Sequence, residues 1–155
     1  MERDFRWPTL EDTQQFGRAL GGLLRGGDLV VLTGDLGAGK TTLTQSIAEG
    51  LGVRGPITSP TFVISRVHPS LVGGPALVHV DAYRLGSAVE LDDLDLDADL
   101  DASVVIVEWG AGLAEQLSDT RLELTISGDV ERSVHAVAVG PRFEHVLAEL
   151  SPWVA

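Results

Sequence analysis

Val30-Val31-Leu32-Thr33-Gly34-Asp35-Leu36-Gly37-Ala38-Gly39-Lys40-Thr41-Thr42 passes from an apolar run through a glycine-rich loop into a segment of helical spacing, Leu43 to Leu51. Gly34, Gly39, Lys40 and Thr41 satisfy G-x-x-x-x-G-K-[ST], the phosphate-binding loop. Glycines allow the backbone to curl until successive N–H groups face phosphate oxygens, a curl that side chains obstruct. The helix that follows brings the positive end of its dipole to the same point. In this pattern the lysine ammonium reaches the β- and γ-phosphates and the Thr41 hydroxyl holds Mg²⁺. The alternative, a glycine-rich turn that fits by chance, is weakened by the strand-like run before it and the helix-like run after it. Lys40 is also the only lysine of the chain, the other ten basic residues being arginine. A compact ammonium on a flexible stem suits a phosphate clamp in a way that a planar guanidinium does not.

Outward from this loop, strand-like and helix-like segments alternate. Asp4 to Trp7 reads as a short edge strand closed by Pro8. Thr9 with Glu11-Asp12 reads as a helix start, and the apolar spacing carries that helix towards Gly26-Gly27. Leu29 to Leu32 is a short buried strand. Phe62 to Val67 and Ala76 to Val80 can pair as a hairpin across a long connection. Ser103 to Val107 is the most continuous apolar run. A short helix at Leu113 to Leu117, a half-exposed strand at Arg121 to Ser127, a turn at Gly128-Asp129, a strand at Val134 to Val139 and a closing helix at Phe143 to Leu150 complete the chain. This order predicts one α/β domain over residues 1–155: a three-layer P-loop NTPase with a mainly parallel central sheet and flanking helices. In such sheets the ligand lies beyond the carboxyl ends of the strands.

Composition narrows the function. The 155 residues include no cysteine, which removes disulfides, thiolate chemistry and cysteine-based zinc sites. The charged start leads into no apolar leader segment, and no window approaches a membrane span, so a cytoplasmic protein is expected. With 23 acidic against 11 basic residues the net charge is −12. Nucleic-acid affinity comes largely from basic side chains neutralising phosphates. Direct, autonomous binding of nucleic acid is therefore not expected. Seven carboxylates fall within Glu90 to Asp101. They lack the central glycine and closing glutamate of an EF-hand loop and read as a solvated acid face, with partner docking as a further option.

Hydrolysis needs more than a phosphate cradle: a carboxylate for the metal and a group that places water. Leu77-Val78-His79-Val80 stops at Asp81, and Val104-Val105-Ile106-Val107 stops at Glu108. Both acids are expected at the strand ends where the phosphate loop emerges, one supporting Mg²⁺ with Thr41 and the other orienting water. Which does which is left open by the residues themselves. Thr58, Ser59 and Thr61 lie where a nucleotide-sensing switch segment often sits, or simply form a proline-fixed turn. Arg84 reads as a structural ion-pair partner. His79, inside an apolar run, reads as a core histidine satisfied by its surroundings.

Gly34 to Thr42, Ser59-Pro60-Thr61-Phe62, His79-x-Asp81-x-Tyr83-Arg84-Leu85 and Glu108-Trp109, in that order, resemble the TsaE family of small bacterial ATPases. The resemblance implies a Mg²⁺-dependent ATPase needed for N6-threonylcarbamoyladenosine at position 37 of tRNA, working with the partner proteins TsaB and TsaD. It further implies that Thr41 and Glu108 hold Mg²⁺, that Asp81 supports hydrolysis, and that Trp109 and Arg132 lie near the nucleotide. The run from Asp92 to Asp101 departs from the family pattern. The Asn/Thr-Lys-x-Asp motif that reads guanine cannot be present, since the chain has no asparagine and no second lysine, and this argues against a regulatory GTPase. A small-molecule kinase shares the phosphate loop, but the arginines are scattered and little chain remains for an acceptor pocket. A pure ATP-binding module would have no use for Asp81 and Glu108.

Overall fold

The computed structural model describes residues 1–34, 40–53, 65–81, 102–108, 120–128 and 131–153. In chain order these form β1 (Glu2–Trp7), α1 (Leu10–Leu23), β2 (Leu29–Gly34), α2 (Lys40–Leu51), β3 (Ser65–His68), β4 (Ala76–Asp81), β5 (Ser103–Glu108), β6 (Arg121–Ser127), β7 (Arg132–Val139), α3 (Pro141–Glu149) and a 3₁₀ turn at Ser151–Trp153. The expected short helix near residue 113, the acidic tract from 90 to 101 and the segment from 58 to 61 lie outside the described residues.

All seven strands join one sheet in the order β1-β7-β6-β2-β5-β4-β3. The four central strands, β6, β2, β5 and β4, run parallel. β3 adds antiparallel to β4 as the expected hairpin, and β7 and β1 add antiparallel at the other side. The composition of each strand follows its place. Every residue of β5 is buried, as is Leu29 to Leu32 of β2, because both faces of the sheet's centre are covered. β6 and β7 alternate buried and exposed residues, since only one of their faces is packed.

That packed face forms the main core. Val30 and Leu32 of β2, Val104 and Ile106 of β5, Leu122 and Leu124 of β6 and Phe5 and Trp7 of β1 meet α1, α2 and α3 there. Phe16 of α1 lies edge-on to Phe5 at 5.0 Å between ring centroids and 4.8 Å from Trp7. α1 begins with a capping box: the Asp12 N–H donates to the Thr9 hydroxyl, and the Thr9 N–H donates to the Asp12 carboxylate. It ends at Leu23, short of the glycine pair, because Leu24 turns to extended backbone.

α1 and α2 approach one another through glycines. A Cβ at Gly17 would collide with Ser46, at Gly21 with the Ile47 carbonyl, and at Gly50 with the Arg18 carbonyl. The backbones can therefore approach more closely than side chains would allow, which seats the helix of the phosphate loop against α1. The α2 helix starts at Lys40, three residues before the expected Leu43, and the closing helix starts at Pro141 rather than Phe143. Proline at a first helical position costs nothing, its missing N–H having no helical partner there.

Candidate active site at the carboxyl ends of the parallel strands

Three parallel strands deliver the predicted residues to one end of the sheet. β2 ends at Gly34, where the phosphate loop leaves it, and α2 brings the chain back with Lys40 and Thr41 in its first turn. β5 ends at Glu108 and β4 at Asp81, and these two positions are register partners. Glu108 is also the register partner of Leu32 on β2. The acids thus stand on the two strands next in order to the one that feeds the loop, as expected for a ligand beyond strand carboxyl ends.

Lys40 is buried, and its Nζ donates to the Gly34 carbonyl at 2.6 Å. The side chain therefore reaches back to the carboxyl end of β2. Thr41 and Thr42 are half-buried at the start of α2. Behind them the Thr44 hydroxyl donates to the Lys40 carbonyl and the Ser46 hydroxyl to the Thr42 carbonyl, both at 2.9 Å. Those bonds satisfy the hydroxyls of two buried side chains within the helix itself.

Glu108 is only 4% exposed, an uncommon place for a carboxylate without a partner. Its partner is His79 on β4: the ring Nε2 lies 3.0 Å from Glu108 Oε2, and the histidine is fully buried. Among the described residues His79 Nδ1 has no hydrogen-bond partner. The histidine expected as a satisfied part of the core is thus satisfied at one nitrogen only, and by a predicted site residue. His79 and Asp81, two residues apart on β4, share a strand face, but pairing with Glu108 depends on the β4–β5 register, which a strand pattern does not carry.

Arg132 opens β7, and its guanidinium donates to the Gly128 carbonyl across the β6–β7 turn. Because Ile126 of β6 is registered against Gly34 of β2, this turn lies at the same end of the sheet as the phosphate loop. Gly128 has φ +100°, and a Cβ there would strike the Glu131 carbonyl, so the turn requires glycine. Asp35, Leu36, Gly37, Ala38, Gly39 and Trp109 lie outside the described residues. Asp81 is placed by its backbone alone.

The donor set suits a hard divalent cation. It offers a hydroxyl at Thr41 and a carboxylate at Glu108. Among the described residues no group of three histidines or acids could hold a metal unaided. Mg²⁺ commonly takes one or two protein oxygens and completes its shell with substrate phosphates and water.

The family model for the threonylcarbamoyl adenosine biosynthesis protein TsaE matches residues 7–134. The chain belongs to the TsaE family. It is 60% identical over 130 residues to the tRNA threonylcarbamoyladenosine biosynthesis protein TsaE of Streptomyces coelicolor, covering 81% of this chain and 88% of that protein. The TsaE of Bacillus subtilis is 39% identical over 154 residues, 96% of this chain and 95% of that one. Among solved structures, that of Bacillus subtilis YdiB superposes with a TM-score of 0.77 at 34% identity, covering 98% of this chain and 95% of the other. The family match spans the phosphate loop, both strand-terminal acids and Arg132. Among the described residues no helix is long and apolar enough to cross a membrane.

Proposed function

We propose that this chain is a Mg²⁺-dependent ATPase that serves the threonylcarbamoylation of adenosine 37 in tRNA, acting on a TsaB–TsaD complex rather than on the RNA itself. The observation that carries the reading is the convergence of Lys40, at the junction of β2 and α2, with Glu108 at the end of the neighbouring parallel strand. A phosphate cradle beside a buried carboxylate is the arrangement that binds and hydrolyses nucleotide phosphates. The names of the relatives supply the pathway, and the net charge of −12 argues that contact with RNA goes through other proteins.

In this reading the backbone N–H groups of Asp35 to Gly39 and the first turn of α2 hold the triphosphate. Lys40 leaves the Gly34 carbonyl for the β- and γ-phosphate oxygens. Thr41 and Glu108 would hold Mg²⁺, which would supply charge neutralisation to the phosphates. Asp81, registered beside Glu108, orients the attacking water. Trp109 and Arg132 flank the nucleotide. The base is adenine, because the motif that reads guanine is absent.

The deciding experiment is ATP hydrolysis measured alone and with TsaB and TsaD of the same organism. Feeble turnover alone and a clear rise in the mixture are expected. Fast turnover of the isolated chain, with a phosphorylated small molecule as product, would replace this reading with a kinase.

A further inference from the structure

We infer that His79 is a positioning residue for Glu108: it holds the carboxylate of Glu108 in one orientation, so that this residue meets Mg²⁺ already aligned. The inference rests on the ATPase reading above and deepens it.

The geometry is diagonal. On adjacent parallel strands His79 is registered against Ile106 and Asp81 against Glu108. The His79 ring therefore reaches two residues along β5, towards the strand end, to meet Glu108 Oε2 at 3.0 Å. The inference places the ring hydrogen on Nε2, where it is donated to Glu108 Oε2. Within the described residues Glu108 Oε1 takes no hydrogen bond, which leaves one oxygen for a metal while the other is held. Both side chains are almost completely buried, at 0% and 5% exposure. The ring thus has no freedom to swing away, and the carboxylate has no water to replace the bond. Metal-ligating carboxylates are commonly held by such outer partners, whose loss weakens metal binding about 10- to 100-fold.

A purely structural histidine in this place would use its hydrogen-bonding capacity on the fold. His79 does not: among the described residues its hydrogen bond goes to the site acid, and Nδ1 is left buried without a partner. Its register partner Ile106 and its same-face strand neighbour Leu77 are both core residues, so an apolar side chain would suit this place at least as well. The single donor at Nε2 is what distinguishes histidine from leucine here.

The test compares His79→Leu, which keeps bulk but no donor, with His79→Gln, whose side-chain amide nitrogen falls near the place of Nε2. Binding of a fluorescent ATP analogue is titrated with Mg²⁺, and affinity is also measured in EDTA. In EDTA all three proteins should bind nucleotide alike. With Mg²⁺, His79→Leu should need about tenfold or more metal for the same saturation, with His79→Gln within about threefold of the parent. A leucine variant that titrates like the parent overturns the inference, as does a glutamine variant as weak as leucine. If the parent itself shows no Mg²⁺ dependence, the metal reading of Glu108 falls, and this inference with it. Ring ¹⁵N spectra of the unsubstituted protein provide a check that needs no variant to fold. His79 Nε2 should appear as the hydrogen-bearing nitrogen and should shift on Glu108→Gln. A bare Nε2 would overturn the inference.

Discussion

Lys40 and Glu108 divide the work of the proposed site, and their substitutions should separate binding from turnover. Lys40→Ala removes the ammonium that the proposal assigns to the nucleotide phosphates. Nucleotide affinity should drop at least tenfold and turnover should vanish, as read by calorimetry and phosphate release. Glu108→Gln keeps shape and most hydrogen-bonding capacity but loses the charge that, in the proposal, attracts Mg²⁺. It should bind nucleotide in EDTA like the parent while Mg²⁺-dependent turnover falls by about 100-fold or more. Unchanged turnover would take Glu108 out of the site. At this scale the sequence was informative wherever function follows from local spacing. The phosphate loop is contiguous, and an acid that ends an apolar run advertises itself. His79 was opaque because its role depends on which strands are neighbours and in what register, and no local pattern states either.

Helix α1 supplies none of the proposed site residues, yet it packs against α2, the helix that carries Lys40 and Thr41. Gly17 and Gly21 face α2 with no room for a methyl group, whereas a Cβ at Gly22, one residue on, meets nothing within 4 Å. These adjacent glycines should therefore respond in opposite directions. Gly21→Ala forces the helices apart and should cost about 1–3 kcal/mol, with a matching loss of nucleotide affinity if α2 shifts. Gly22→Ala should raise stability by about 0.5 kcal/mol, since alanine is the better helix former and the position is open. Urea unfolding of the two variants tests this directly, and equal effects would show that the helices have slack. The helix itself was legible from its Thr9 cap and apolar spacing. Its glycine contact was not, because a glycine in a helix gives no sign of whether it faces solvent or another backbone. Strand boundaries at β2, β5 and β6 were legible for the opposite reason: continuous burial and strict alternation leave distinct patterns.

The molecule as a whole closes by laying its first strand beside its penultimate element, β1 on β7. The central parallel order could be expected from alternating strands and helices, but the antiparallel margins could not, since distant segments choose their edge by three-dimensional fit. On the solvated face of that closure His135 donates to Asp4 at 2.8 Å and to Glu2 at 3.2 Å. These hydrogen bonds, to Asp4 first and then Glu2, hold its imidazolium above the usual histidine range despite some desolvation. A folded-state value raised above the unfolded one stabilises fully below pH about 6.5 and loses that contribution as pH rises through the raised value. The pair is half-exposed, so salt screens it and the effect is small. Between pH 6 and pH 8.5 the melting temperature should fall by about 1 °C more in the parent than in His135→Gln, and 0.5 M salt should erase the difference. Opposite in sign to this local pairing is the overall charge of −12, which repels polyanions at long range. The isolated chain should accordingly show no tRNA retention in a filter assay at 50 mM salt, where a basic RNA binder binds most tightly. Retention should appear only when TsaB and TsaD are present. RNA held by the chain alone, with an affinity that weakens as salt rises, would place a phosphate-binding surface on this protein and move the RNA contact from the partners to it.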